Sequence, residues 1–533
     1  MDEQKNTAER SAEHTAIQTN QSYIPVGSMA QPGGAAPSPM PPREVYPKRR
    51  ALGRDLTLAG VLLGLCFLLW DALCWARGVG LAEAATLAGI LPAALIYLKG
   101  RPGKLTRYGT VCAGLYLLSA LSLILSGDAS MKFLTLCVMV LLFQIMLLER
   151  LAMRTGTDLF RLIYDHLFVC FSMSLWRIGV GAWALAHSGT PGSARSKRNR
   201  SVLLGLLCAI PALVILIPLL ISSDAAFEGL VGSLDWEFGS RALIALVFGG
   251  LAALFLFTLL FTSDQGPKKK DGTARKGVEP AAVAAFLGII GAVYVLYLFS
   301  QFAYFTDAFR GLLPRGFTVA KYARRGFFEM CWIVAINLFL IVLALGLCRK
   351  DGGRIPGAVK GLALFLCVFS LILVATALSK MILYMGSFGL TRLRLTTSVF
   401  MVFLALVVLA VALRLFVKKL PVPQLAVTLG AVILIGLSLA NVDGLVARYN
   451  VDAWRSGKLD SLDVQMICYL GDGAVPVLDE LAHDPADPEI AALAQSELRR
   501  RSPQTDLRSW NLVTQKANEV LKGVGKQMIA NSQ

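Results

Sequence analysis

The sequence predicts an all-α protein, namely a polytopic α-helical membrane protein with about 11 transmembrane helices, a disordered N-terminal tail and a small helical C-terminal module. Hydrophobic residues make up 55% of the 533 residues, whereas charged residues make up only 16%. Long apolar stretches also recur along the chain, separated by short charged segments. Soluble globular proteins carry about 25% charged residues. The composition therefore excludes a large soluble enzyme, a disordered protein and a disulfide scaffold.

The first predicted segment, residues 1–54, is a tail. It is rich in Gln, Ser, Ala, Gly and Pro, as in the run from Ser28 to Pro42. Such a composition cannot bury enough apolar surface to offset the conformational entropy lost on ordering. It also lacks the early apolar region of a cleavable signal peptide. We predict a disordered tail on the cytoplasmic side of the membrane.

A transmembrane domain is predicted over residues 55–441. A helix crosses the bilayer core, about 30 Å thick, with roughly 20 apolar residues. Eleven stretches meet this requirement: 56–75, 81–98, 108–126, 131–148, 202–222, 242–262, 281–305, 327–348, 358–379, 395–417 and 424–441. Residues 159–187 are also apolar, but Arg161, Asp165, His166 and Arg177 interrupt them. We therefore interpret 149–200 as a cytoplasmic or interfacial helical region.

The charges of the loops predict the orientation of these spans. Lysine and arginine are concentrated in every second loop, as in Lys268–Lys270 after the sixth span and Lys418–Lys419 after the tenth. Loops enriched in these residues stay on the cytoplasmic side. The N-terminus is therefore predicted to be cytoplasmic and the C-terminus extracytoplasmic. The net charge of +17 follows from this topology, with the lipid bilayer as partner and no nucleic acid expected.

Residues 442–533 are predicted to form the extracytoplasmic helical module. They are polar and mixed in charge, and their apolar residues recur at helical spacing. Asp487 followed by Pro488 is typical of an N-cap with proline at the first helical position. We predict three or four short helices in antiparallel pairs. Because so few repeat units are not stable alone, the module is expected to lean on the membrane domain.

No catalytic residue, metal site or cofactor is predicted. The chain has no H-E-x-x-H, G-x-S-x-G or G-x-x-x-x-G-K-[ST] pattern. Its 4 histidines are scattered, and its 10 cysteines form no C-x-x-C pair. The sequence indicates a membrane architecture without indicating a reaction.

Two predicted outer segments break the charge rule and supply the candidate binding site: the loop after the seventh span and a predicted turn after the ninth, beginning at Lys380. The candidate residues are Tyr322, Arg324, Arg325, Glu329, Lys380, Tyr384, Arg392 and Arg394. Anchoring to lipid headgroups explains such residues singly. As a group they favour a paired network, with Glu329 as anion to Arg325 or Lys380. The functional alternative is a pocket for an anionic group such as a lipid phosphate, because arginine forks suit phosphate.

Four motifs in order resemble an uncharacterised family of bacterial polytopic membrane proteins. They run from Tyr322 to Glu329, from Lys380 to Arg394, from Asn441 to Asn450 and from Leu470 to Leu478. The family is that of domain of unknown function 4173, akin to 4153, and the resemblance covers about residues 200–485. It implies a multi-spanning protein of the bacterial inner membrane. It implies no activity, substrate or catalytic residue.

Three functions remain open from the sequence. The first is a non-enzymatic envelope accessory or sensory protein that displays the C-terminal module and reads the state of an anionic lipid or an envelope protein. The second is a transporter or lipid-handling permease, since Pro92, Pro211 and Pro218 permit broken helices. The third is a membrane-embedded transferase using a lipid-linked donor, because Asp71 and Glu83 flank the first outer loop.

Overall fold

The computed structural model describes the membrane domain and the C-terminal module with several gaps. The described residues are 49–75, 79–99, 104–151, 165, 174–188, 216, 219–220, 222–223, 236–263, 277–309, 327–349, 355–417 and 419–531. Most of the predicted tail, most of the predicted span at 202–222 and much of the 149–200 region lie outside these residues.

The membrane domain consists of helices. They are α1 (Gly53–Trp75), α2 (Leu81–Leu98), α3 (Arg107–Leu125), α4 (Ala129–Arg150), α5 (Ile178–Ala186), α6 (Trp236–Phe261), α7 (Pro280–Phe309), α8 (Phe327–Leu347), α9 (Gly357–Phe388), α10 (Arg392–Arg414) and α11 (Val422–Leu439). Within the described ranges, 10 helices are long and apolar enough to cross a membrane, and α5 is too short to do so. These 10 coincide with predicted spans. The chain is thus an all-α, multi-pass integral membrane protein, as predicted.

One predicted boundary is wrong. The sequence suggested that the ninth span ends near residue 379 and that a turn begins at Lys380, whereas α9 continues to Phe388 and has 32 residues. No proline interrupts residues 380–388, and the helix ends where Gly389 adopts a φ of +72°. Glycine adopts this left-handed conformation without the steric cost that a side chain brings. Lys380 and Tyr384 therefore lie on a helix and not in a loop.

The spans pack into two apolar groups. The first core joins α1, α2, α3, α4, α6 and α11, with Leu62, Leu98, Leu142 and Phe257 fully buried. The second joins α7, α8, α9 and α10 around Leu287, Leu366 and Phe369. The remaining faces expose large apolar side chains such as Leu296 and Trp332, as expected of surfaces in contact with lipid.

Polar side chains also connect the spans inside the apolar region. In the second group, the Tyr294 hydroxyl donates to Oδ1 of Asn337 at 2.6 Å, and Nδ2 of Asn337 donates to Oγ of Ser370 at 3.1 Å. In the first group, the Tyr116 hydroxyl donates to the carbonyl of Leu87 at 2.9 Å. Such interhelical hydrogen bonds stabilise helix association where the hydrophobic effect between helices is weak.

The C-terminal module follows α11 almost without a break. Its helices are α12 (Val442–Arg455), α13 (Val464–Cys468), α14 (Val475–Ala482), α15 (Pro488–Arg500) and α16 (Leu512–Asn531), with a 3-10 turn at Asp472–Ala474. The predicted start of α15 is confirmed, because Oδ1 of Asp487 accepts the backbone N–H groups of Glu489 and Ile490, both at 3.1 Å. The apolar faces form a separate core that includes Val446, Leu478 and Leu498.

Candidate functional site

Among the residues that the structure describes, several charged side chains are buried together where the module meets the membrane domain. Arg392, the first residue of α10, joins helices from both parts. Its Nη2 lies 2.5 Å from Oδ1 of Asp443, in the first turn of α12, and its Nε lies 3.3 Å from Oδ2 of Asp128, the N-cap of α4. One guanidinium therefore bridges a carboxylate of the module and a carboxylate of the membrane domain.

Both carboxylates are buried and accept backbone hydrogen bonds. Asp128 and Asp443 are 5% and 2% exposed. Oδ1 of Asp128 accepts the N–H of Ser130 at 2.7 Å, and Oδ2 of Asp443 accepts the N–H of Gly471 at 3.0 Å. Burial raises the pKa of Asp443, while the neighbouring Arg392 lowers it. The ionised form of Asp443 therefore depends on this arginine.

A second charged centre surrounds Lys132. This side chain is 4% exposed and lies one helical turn after Asp128 on α4. Its ammonium group donates to the backbone carbonyl of Val79, just before α2. The carboxylates of Glu83, Asp128 and Asp472 all interact with it electrostatically. Because Glu83 belongs to α2 and Asp472 to the module, this buried cation also connects the two parts.

Glu83 has the least exposed side chain of this group. Its side chain is fully buried. Oε2 accepts the N–H of Gly80 at 2.7 Å, whereas Oε1 has no hydrogen-bond partner among the residues that the structure describes. The six charged residues Glu83, Asp128, Lys132, Arg392, Asp443 and Asp472 are called the junction below.

The segment before α16 covers the junction next to α2. The backbone N–H groups of Leu81 and Ala82 donate to the carbonyls of Trp510 and Arg508 at 3.0 and 3.1 Å. The first N–H groups of a helix have no intrahelical partner, so this segment supplies the missing acceptors. Nη1 of Arg508 also lies 2.9 Å from Oδ2 of Asp71, at the end of α1.

Two further side chains hold the module in place. The hydroxyl of Thr514 on α16 donates to Oδ2 of Asp472 at 2.7 Å. The amide of Asn450 on α12 pairs with the backbone of Leu390, accepting its N–H and donating to its carbonyl, both at 2.7 Å. Asn450 is 3% exposed. The connection between α9 and α10 is therefore fixed by the module.

The structure brings together only some of the predicted binding residues. Arg392 lies in the junction. The Arg394 guanidinium lies 4.1 Å from the ring centroid of Tyr384 and donates to the carbonyl of Phe388 at 2.9 Å. Lys380 lies on the same helix as Tyr384, and Glu329 is exposed in the first turn of α8. The other three, Tyr322, Arg324 and Arg325, fall outside the described residues. Binding of an anionic group by the eight stays a prediction.

Sequence reasoning singled out Glu83 only for the transferase alternative, and it selected neither Lys132 nor the other three acids of the junction, Asp128, Asp443 and Asp472, as site residues. Asp443 and Asp472 stand in the family motifs, but they suggested no role. Asp128 and Lys132 flank the start of an apolar stretch, where charged side chains are costly unless they are paired. That position is the one signal that could have marked them, because their partners come from distant parts of the sequence.

The family assignment now follows from a comparison of the whole chain. A family model described as Domain of unknown function (DUF4153) matches residues 110–481, which is more than half of the chain. The chain belongs to this family. The motifs had suggested the number 4173 with 4153 as its relative, and the match is to 4153.

The matched segment of the DUF4153 family contains most of the junction. It runs from α3 to α14 and includes Lys132, Arg392 and Asp443, whereas Glu83 and α16 lie outside it. Neither the curated proteins nor the solved structures gave a match. The family description names no activity.

Proposed function

We propose that the protein is a non-enzymatic accessory or sensory component of a bacterial cell envelope. In this proposal, the membrane domain holds the C-terminal module in a fixed position for a partner in the envelope. The observation that carries the proposal is the junction, in which the Arg392–Asp443 ion pair and the electrostatic interaction of Lys132 with Asp472 join the module to α10 and α4. A module attached only by its sequence connection to α11 would not need these contacts.

The orientation is part of the proposal. Asp71, Asp128 and Arg392 lie at ends of α1, α4 and α10 that share one face with the module. At the opposite end of α1, the Arg54 side chain donates a hydrogen bond to the carbonyl of Ile96. At the opposite end of α4, the Arg150 side chain donates one to the carbonyl of Leu98. The cationic loops favour the cytoplasm for that second face. We therefore place the module outside the inner membrane and the N-terminus in the cytoplasm.

The junction favours this role over a transferase. A transferase at the outer face would require open acidic residues, and Asp71 and Glu83 were the candidates. Asp71 is paired with Arg508, and Glu83 is fully buried. Asp71 instead holds the segment that covers α2 through Arg508, and Glu83 caps the start of α2 at Gly80.

The kind of partner follows from the remaining surface. Arg392 and Arg394 are both engaged by groups of the protein itself, so a lipid phosphate would have to displace these contacts. In contrast, Tyr469 is 89% exposed and Leu507 is 75% exposed on the module. Aromatic side chains such as that of Tyr469 are typical anchors of protein interfaces. An envelope protein is therefore the proposed partner ahead of an anionic lipid.

Site-specific photo-cross-linking in cells tests this proposal. A photoreactive residue at Tyr469 or Leu507 should give a discrete adduct with an envelope protein. An R392Q variant should lose the adduct, whereas R414Q, at the opposite end of α10, should retain it. Absence of a discrete adduct at both positions, or a solute flux that depends on the chain in reconstituted vesicles, would contradict the accessory role.

A further inference from the structure

The junction has more negative than positive charge. Four carboxylates, those of Glu83, Asp128, Asp443 and Asp472, face two cations, Lys132 and Arg392. If every group is ionised, the junction carries two uncompensated negative charges. Burial of an uncompensated charge is costly, and proteins commonly relieve this cost by neutralising one group. The arrangement therefore requires a positively charged ligand or a protonated acid.

Glu83 is the acid that the geometry singles out. Asp128 and Asp443 each contact Arg392, and Asp472 accepts the hydroxyl hydrogen bond of Thr514. Oδ2 of Asp128 lacks a hydrogen-bond partner among the described residues, but it lies 3.3 Å from Nε of Arg392. Glu83 is fully buried, and its Oε1 has neither a hydrogen-bond partner nor an ion pair among those residues. A protonated carboxyl group needs less solvation than a carboxylate does.

The charged groups around Glu83 determine whether a rise in pH weakens or strengthens the docking of the module. From α4 it faces Lys132, which favours the ionised form, and from the module it faces Asp506, which opposes ionisation. Asp128 and Asp472 share the same lysine. With three acids competing for one ammonium group, the charge of Lys132 cannot neutralise them all.

A metal ion is a poorer candidate for the missing positive charge. Among the described residues, no group of three or more His, Cys, Asp or Glu side chains is arranged to hold one. The ammonium group of Lys132 already lies against the Val79 carbonyl and the surrounding acids. A proton needs no such ligand sphere.

We propose that Glu83 is a proton-binding site and that the module docks on the membrane domain with uptake of a proton. This proposal rests on the proposed function, because it makes the fixed position of the module depend on pH. When Glu83 loses its proton, the added negative charge weakens the contact between α2 and the segment before α16. The protein then responds to alkaline conditions by releasing the module.

Hydrogen exchange on the full chain in nanodiscs tests this inference. The backbone N–H groups of Leu81 and Ala82 donate to the carbonyls of the module, so their protection reports docking. After correction for intrinsic exchange, the protection in the wild type should fall by up to about tenfold per pH unit over the pH range in which Glu83 holds its proton only in the docked state, as one proton requires. In E83Q, the protection should persist and should not depend on pH.

Two variants keep the test decisive. D472N retains the acceptor for Thr514 and removes one competing carboxylate, so the ionised form of Glu83 costs less in the docked state. The total loss of protection with rising pH should therefore be smaller than in the wild type, and this variant serves if E83Q does not fold. E480Q changes an acid away from the junction and should leave the slope unchanged. A wild-type slope that persists in E83Q, or protection that does not change with pH in the wild type, would overturn the proton site. Neither result bears on whether a partner binds the module, so the cross-linking experiment would still decide the proposed function separately.

Discussion

Arg392 and Asp443 are joined by a hydrogen bond and an ion pair across the contact between the membrane domain and the C-terminal module. Nη2 and Nε of Arg392 lie 2.5 and 2.8 Å from the same carboxylate oxygen. The residues are 51 positions apart in the sequence. This contact fixes the module to the membrane domain, because Asp443 is buried and its charge is compensated by Arg392.

Replacement of Arg392 should therefore weaken docking strongly. R392Q leaves Asp128 and Asp443 buried without their shared cation. Removal of one partner of a buried ion pair costs about 3–5 kcal/mol, and the partial exposure of Arg392 reduces this to about 2 kcal/mol. Limited proteolysis should then release a fragment that contains the module more readily than in the wild type. R414Q is the matched control on the same helix, and equal release from both variants would contradict the role assigned to Arg392.

Asn450 should contribute about as much to the stability of the folded protein as an ion pair does. N450L removes both hydrogen bonds to the backbone of Leu390 and leaves these groups buried. Unsatisfied buried polar groups cost about 1–3 kcal/mol each. The melting temperature of the purified protein should fall by several degrees, whereas Q465A, at an exposed position of α13, should not change it. An N450L variant as stable as the wild type would show that Leu390 finds other partners.

Two glycines have almost the same positive φ but differ in what surrounds them. Gly389 and Gly457 have φ values of +72° and +71°. A Cβ on Gly389 would overlap the Asn450 amide, whereas a Cβ on Gly457 meets nothing within 4 Å. G457A should cost about 1 kcal/mol from the left-handed backbone alone. G389A should cost clearly more in thermal unfolding, and equal losses would place Asn450 too far from Gly389 to matter.

Lowering the pH should reduce the stability of the module by protonating Glu480 at its surface. Hydrogen bonds from Arg455 and Arg448 lower the pKa of this carboxyl group. A lowered pKa in the folded state contributes stability that is fully present above the unfolded value, about 4.3 for glutamate, and is lost as the pH falls through the folded value. Because the pair is exposed, the effect should be about 1 kcal/mol or less and should shrink in high salt. E480Q should flatten the acid limb of the stability–pH curve, and an unchanged limb would assign it to other acids.

The spans were predictable because they depend on a local property. Each of the 10 described spans is an apolar stretch whose length matches a bilayer, and Asp487–Pro488 identified a helix start by local capping. The end of α9 was missed because residues 380–394 contain cations that are typical of a loop. In the structure, Arg394 packs on Tyr384 and hydrogen-bonds the last carbonyls of the helix.

The sequence by itself determined the class of the protein and its 10 described spans, since hydropathy is read along one stretch at a time. Its ordered motifs suggested domain 4173, with the matching family, 4153, as a relative. Only the tertiary structure decided which charges meet. Glu83, Lys132 and Asp472 are scattered over nearly 400 positions, yet Glu83 and Asp472 both interact with the ammonium group of Lys132. Electrostatic energy depends on distance in space and on burial, and neither is encoded in any one segment. The junction, and the proton site proposed in it, became visible only when α2, α4, α10 and the module were placed together.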